Sequence, residues 1–234
     1  MLLHGFGDTP QTFGYLAAAL HAAGFTVKAP LLPGHGTTVD DFARSRAAEW
    51  IEHARAEYDS MLPSFRAVGL AGLSMGGALA AIIAANAPRL PALVLLAPYV
   101  GMPRSLAVAA RLHRLWGPFV GQFKAQNDLS IHDPEERAKN LAYGVTTASA
   151  IRQLLEVTRT ARKALRSITA PTLILQSWND NRVSRKIARY AYSKIPANEK
   201  RLTFVERGGH IITVDHDREF VAAVVRDWFA SHIQ

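Results

Sequence analysis

Gly72-Leu73-Ser74-Met75-Gly76 sets a hydroxyl midway between two glycines, and a third glycine, Gly77, follows directly. A serine at this spacing can act as a nucleophile if the chain turns sharply from a strand into a helix there. The residues two before and two after must then be small, because side chains at those places would collide. The flanking sequence supplies that context, with the apolar run Ala67–Ala71 before it and an alanine-rich stretch, Ala78–Ala87, behind it. An ordinary glycine-rich turn is the plain alternative, and the strand–turn–helix context weighs against it.

A serine hydroxyl needs a general base at neutral pH, and the base needs a group to orient it. Asp180 lies in Ser177-Trp178-Asn179-Asp180, just past the apolar run Thr172–Gln176, and His210 lies in Gly208-Gly209-His210, just past Leu202–Val205. Both fall at C-terminal ends of strand candidates, where open parallel sheets gather their ligands. His4-Gly5-Phe6-Gly7 follows the first apolar run. Such a loop can aim a backbone N–H at a developing oxyanion beside the N–H of the residue after the nucleophile, which makes Phe6 and Met75 the expected donors.

The remaining histidines and acids have plainer readings. His4 at a strand end is expected to orient its loop by hydrogen bonding rather than serve as base. His35 in Pro33-Gly34-His35-Gly36 reads as a turn residue, and His113 and His132 are isolated. Glu206 is too close in sequence to His210 to come from another strand. Asp215 and His216 open the last helical stretch, where a carboxylate favours the N-terminal dipole. No histidine–carboxylate cluster has zinc-ligand spacing, and there is no cysteine for a thiolate site, a disulfide or a thiol nucleophile. No metal and no cofactor are implied.

These residues need a scaffold that holds strand ends side by side. Short apolar runs alternate with longer amphipathic stretches, the signature of strand–helix units and a parallel sheet. Six runs qualify as strands: Met1–Leu3, Phe25–Ala29, Ala67–Ala71, Ala92–Ala97, Thr172–Gln176 and Leu202–Val205. Their Val/Ile/Leu-rich, poorly alternating character suits strands buried on both faces. Helices are expected from Thr9-Pro10, with Thr9 as N-cap, to Gly24; from about Asp40 to Leu62; from Ser74 towards Pro88; and near the C-terminus, with Phe220, Val221, Val224, Val225 and Trp228 along one stripe. Between residues 101 and 166 the strand signal vanishes and helical pattern replaces it over Ser105–Trp116, Pro134–Tyr143 and Ser149–Leu165. A crossover needs far fewer residues, so this stretch is expected to be an inserted helical cap within a single domain spanning residues 1–234.

The net charge of +8 is concentrated between Arg104 and Arg166, which holds eleven Lys/Arg against five Asp/Glu. The positives are scattered without interleaved aromatics, so they read as a solvated helical face and not as a nucleic-acid surface. No apolar run is long enough for a membrane span, and no leader pattern opens the visible chain, so a cytoplasmic protein is the expectation. The chain does open directly in a strand candidate, the pattern expected where an N-terminal segment is missing.

With these residues in place the chain resembles the α/β-hydrolase superfamily and, within it, the bacterial carboxylesterase and monoacylglycerol lipase group. The resemblance rests on His4-Gly5-Phe6-Gly7, Pro33-Gly34-His35-Gly36, Gly72 through Gly77, Ala170-Pro171-Thr172, Asp180 with Val183, and Gly209-His210-Ile211-Ile212-Thr213. It implies catalytic Ser74, Asp180 and His210, an oxyanion hole from Phe6 and Met75, and ester hydrolysis without a cofactor. Two departures stand out. Two strands that usually precede the His-Gly loop are absent, and Asp8 stands where relatives often carry a small residue or a second glycine. The expected activity is carboxylic-ester hydrolysis through an acyl-enzyme, on short- to medium-chain esters or monoacylglycerols. The same triad also allows amide, thioester or lactone hydrolysis or acyl transfer, and a low-turnover ligand-binding module is the rival outside catalysis.

Overall fold

Five of the apolar runs pair side by side, all parallel, in the computed structural model, which describes residues 1–125 and 129–233. They are β1 (Leu2–Leu3), β2 (Leu70–Leu73), β3 (Leu93–Leu96), β6 (Thr172–Ser177) and β7 (Lys200–Val205), and their order across the sheet is also the order in the chain. The register sets Leu3 beside Gly72, Leu73 beside Leu96, Leu96 beside Leu175 and Ser177 beside Val205. The strands therefore end along a common edge, and the candidate residues lie just beyond that edge, in loops or, for Met75, at the start of a helix.

Neighbouring residues in a strand face opposite sides, and here both sides are covered. Leu3, Leu70, Leu95 and Ile174 join a core built with Trp50, Tyr58 and Met61 of α3 (Ala47–Met61) and with α4 (Met75–Ala84), every residue of which is buried. Ala188 and Ala191 of α9 (Arg185–Lys194), the helix between β6 and β7, belong to the same core. Leu2, Leu73, Val94, Leu96 and Leu175 face α1 (Gly14–Ala22) and α10 (Arg218–His232) through Leu16, Leu20, Val221, Val225 and Phe229. Two-sided burial explains why the strands lack polar alternation.

Several expectations need correction. Phe25–Ala29 is not a sheet strand; it passes β1 with Leu2 N–H donating to Lys28 O, and Pro30, which has no N–H, follows it. The helix expected from Asp40 to Leu62 is two helices, α2 (Val39–Arg44) and α3. The chain is extended at Ser45 and Arg46, where Ser45 packs against Gly34 and the Glu49 carboxylate accepts the Arg46 N–H at 2.8 Å. Thr9 does cap the first turn, Pro10–Phe13, but that turn is a 3-10 helix. In the last helix Phe220 is exposed, so the buried stripe runs through Val221, Val225 and Trp228 instead.

Between β3 and β6 the chain forms α5 (Arg104–Arg111), α6 (His113–Val120), α7 (Pro134–Lys139) and α8 (Ala148–Ala164). It also contains strands the sequence did not reveal, since β4 (Gln122–Lys124) and β5 (Val145–Thr147) pair antiparallel. Residues 126–128 of this stretch lie outside the described residues. Ala150, Leu154, Val157 and Ala161 of α8 belong to the main core, so that helix anchors the stretch to the sheet layer. Among the described residues no helix is long and apolar enough to cross a membrane.

Candidate active site

Ser74 sits at the junction of β2 and α4 with φ 55° and ψ −116°, a left-handed conformation that costs a non-glycine residue energy. The neighbours hold it there: Ser74 N–H donates to Leu96 O at 2.8 Å, and Ser74 O accepts from Tyr99 N–H at 3.0 Å and Ala78 N–H at 3.1 Å. The flanking glycines are sterically required. A Cβ on Gly72 would overlap the Gly76 backbone, and one on Gly76 would overlap Leu3 O. The sharp turn thus exists because β1, β2 and the start of α4 approach at backbone contact.

His210 and Asp180 meet across two loops. The imidazole Nδ1 lies 2.8 Å from Asp180 Oδ2, so Nδ1 carries the proton and Nε2 is left as the basic nitrogen. Asp180 is closely held. Its Oδ1 accepts the N–H groups of Arg182 at 2.7 Å and Val183 at 2.8 Å, and its Oδ2 also accepts the Gln176 amide at 2.7 Å. Burial pushes this carboxyl's pKa up, but the His210 charge and these hydrogen bonds outweigh it and hold it below the ordinary value.

Ser74 and His210 line one cavity of about 410 Å3, together with Gly5, Phe6, Asp8 and Tyr99. Its volume suits a small-molecule site. Leu106, Phe123, Ile151 and Leu154 from the stretch between β3 and β6 supply apolar wall. The Ser74 hydroxyl makes no hydrogen bond among the described residues, and the N–H groups of Phe6 and Met75 likewise have no acceptor among them. Two backbone donors are therefore left at the serine: one begins α4, and one belongs to the loop whose Gly5 would place a Cβ 3.5 Å from Ser74 Cβ.

His4 orients that loop. Leu32 N–H donates to Nε2 at 3.0 Å and Nδ1 donates to Gly5 O at 2.9 Å. Burial first, and the neighbouring His35 second, lower its pKa to about 3, so it stays neutral. His35 is more than a turn residue: it is buried and packs edge-on against His4, Phe42 and Trp50. Asp8 is buried in the cavity, and burial pushes its carboxyl up to about 7 against the opposing hydrogen bonds of Thr9 and Thr12.

Two residues that matter here were invisible as such. Gln176 is a fully buried amide inside β6, and a strand pattern has no reason to single it out. Asp215 was expected to stabilise the start of the last helix; instead Asp217 is the N-cap residue of α10. Asp215 is fully buried and accepts four backbone N–H groups, from His132, Asp133, Gly209 and His216, at 2.7–2.9 Å. It binds the residue before His210 to the segment that follows Ser130. Ser130 O in turn accepts Ile211 N–H at 2.9 Å, and a Cβ on Gly209 would stand 2.7 Å from it.

The family described as Serine aminopeptidase, S33, matches residues 1–217. The chain belongs to this family. A thermostable monoacylglycerol lipase of Bacillus sp. (strain H-257) is 28% identical over 232 residues, covering 99% of this chain and 90% of the relative. A carboxylesterase of Bacillus subtilis (strain 168) is 22% identical, covering 94% of this chain and 87% of the relative. A structure solved in work on LipS and LipT, two metagenome-derived lipolytic enzymes, superposes with a TM-score of 0.89 at 30% identity, covering 99% of this chain and 92% of the other. This S33-family chain is a serine hydrolase of the α/β-hydrolase fold.

Proposed function

We propose that the chain hydrolyses carboxylic esters of short- to medium-chain acids, monoacylglycerols among them, with Ser74, His210 and Asp180 as its triad. It is a serine ester hydrolase. His210 Nε2 takes the Ser74 proton as Ser74 Oγ attacks the ester carbonyl. The oxyanion of the tetrahedral intermediate sits against the N–H groups of Phe6 and Met75, and collapse expels the alcohol, which receives the proton from His210. Water, deprotonated by the same nitrogen, then attacks the acyl-enzyme, and the acid leaves as Ser74 Oγ takes the proton back from His210. Asp180 keeps Nδ1 protonated throughout.

One observation carries this reading: Ser74 and His210 share a cavity, with Asp180 2.8 Å behind the imidazole and two unengaged N–H groups beside the serine. The apolar wall supports an acyl chain as the group accommodated there, with residues 101–166 acting as its cap. Likeness to a lipase and a carboxylesterase supports esters over other acyl bonds.

The test is a panel of p-nitrophenyl and glyceryl esters graded by acyl length, run beside aminoacyl p-nitroanilides and with wild type and Ser74→Ala in parallel. Ester turnover that peaks at short or medium chains and is lost in Ser74→Ala is expected. Anilide turnover exceeding ester turnover, or wild-type rates in Ser74→Ala, would overturn the proposal.

A further inference from the structure

Among the described residues Asp8 is the one acidic side chain lining the cavity of Ser74 and His210, and the ester-hydrolysis steps give it no task. It is buried, with 4% of its surface exposed, and its Oδ1 accepts the Thr9 N–H at 2.8 Å. Its place relative to the serine is defined through Gly5, where an added Cβ would stand 3.5 Å from Ser74 Cβ and 3.9 Å from Asp8 Cβ. The two side chains thus flank a single glycine and open on the same space. A carboxyl in a largely apolar cavity is costly unless it meets hydrogen-bonding groups. The loop supplies such groups in Thr9 and Thr12, and a ligand in the cavity would add another.

We propose that Asp8 is a specificity residue that hydrogen-bonds a free hydroxyl on the alcohol part of the substrate, so that the site selects esters of polyhydroxy alcohols such as glycerol over esters of simple alcohols. This rests on the ester-hydrolase reading and names the residue that would select among the alcohols that reading allows. An ester carbonyl held at Ser74 places its alkoxy oxygen beside His210, which must protonate it. A hydroxyl on the neighbouring carbon stands three bonds from that oxygen, and Asp8, separated from Ser74 by Gly5, lines the same cavity. The long apolar part of the substrate has its own wall in Leu106, Phe123, Ile151 and Leu154. Because burial holds the carboxyl protonated up to about neutral pH, Asp8 can both donate to and accept from such a hydroxyl. A site that pairs a substrate hydroxyl in this way discriminates against the analogue lacking it, since the buried polar group is then left without its partner.

The experiment compares kcat/KM for monooctanoylglycerol and methyl octanoate, which share the acyl group, in wild type, Asp8→Gly and Asp8→Asn. Wild type should prefer the glycerol ester. Asp8→Gly should lower the glycerol-to-methyl ratio about tenfold, the scale of one hydrogen bond, and Asp8→Asn, which keeps an acceptor and a donor, should hold it within about threefold. A wild type that prefers the methyl ester overturns the inference without any variant. So does an unchanged ratio in Asp8→Gly, including an equal fall on both substrates, which would mark a purely structural role. Failure of wild type to cleave either ester would instead defeat the ester-hydrolase reading itself.

Discussion

Asp215 Oδ2 accepts the Gly209 N–H at 2.7 Å, one residue before His210, and the same oxygen accepts the His132 N–H at 2.8 Å from the stretch between β3 and β6. The loop carrying the candidate base is thus fixed to the cavity wall by a buried carboxylate. Removing the carboxylate strands one buried and three part-buried backbone donors, and a buried donor costs about 1–3 kcal/mol when unpaired while the others cost less. Asp215→Ala is expected to lose about 4 kcal/mol, and its melting temperature should fall by roughly 10 °C in thermal denaturation. Activity measured below the transition should fall through kcat more than through KM, because the displaced group is His210.

Gln176 donates to Asp180 Oδ2 and also to Val183 O, at 3.1 Å, so it fixes the acid as the acid fixes the histidine. Asp180→Asn should lower kcat by about 10^3–10^4 with the fold retained, because the histidine loses the group that keeps Nδ1 protonated. Gln176→Leu should lower it by only about tenfold, the share of a single supporting hydrogen bond. Steady-state kinetics on one ester, with circular dichroism as the folding control, separates the two.

The candidate site was more legible than the scaffold, and for a physical reason. An elbow at Ser74 makes steric demands on Gly72 and Gly76 that are local in sequence, and an acid and a base at strand ends need only a strand before them. Asp215 obeys no such local rule, since a carboxylate shortly before a helix reads the same whether it serves that helix or a distant loop. The antiparallel β4–β5 pair was hidden because two three-residue strands show no readable alternation. The break at Ser45 arises from tertiary packing against Gly34, which helical periodicity does not record.

Glycine substitutions should divide sharply. Gly76→Ala and Gly72→Ala drive a Cβ into backbone that cannot yield, so neither protein should fold. Gly14 begins α1 in right-handed helical geometry, and an added Cβ there would meet no atom within 4 Å. Gly14→Ala should therefore raise stability by about 0.5 kcal/mol. Urea unfolding monitored by fluorescence checks both halves.

His4 and His35 have folded pKa values lowered from 6.5 to about 3 and about 4, mainly by burial. The unfolded chain binds their protons first, so their contribution is complete above about pH 6.5 and is lost as the pH falls towards 4 and then 3. Asp8, raised to about 7, acts with the opposite sign, its contribution being complete below about pH 4 and lost as the pH rises through 7. With two groups against one, the melting temperature should drop between pH 6.5 and 4, and His35→Phe, whose ring fits beside Phe42 and Trp50, should flatten that slope.

The Ser74 hydroxyl, activated by His210, is the group proposed to carry the acyl chain. Labelling with a fluorophosphonate, followed by peptide mass spectrometry and an ester assay on the same sample, tests this most directly. A stoichiometric adduct on Ser74 is expected, with hydrolysis lost in step with labelling and neither labelling nor turnover in Ser74→Ala. Hydrolysis that persists once Ser74 is fully labelled, or an inactivating adduct on any other residue, would contradict it.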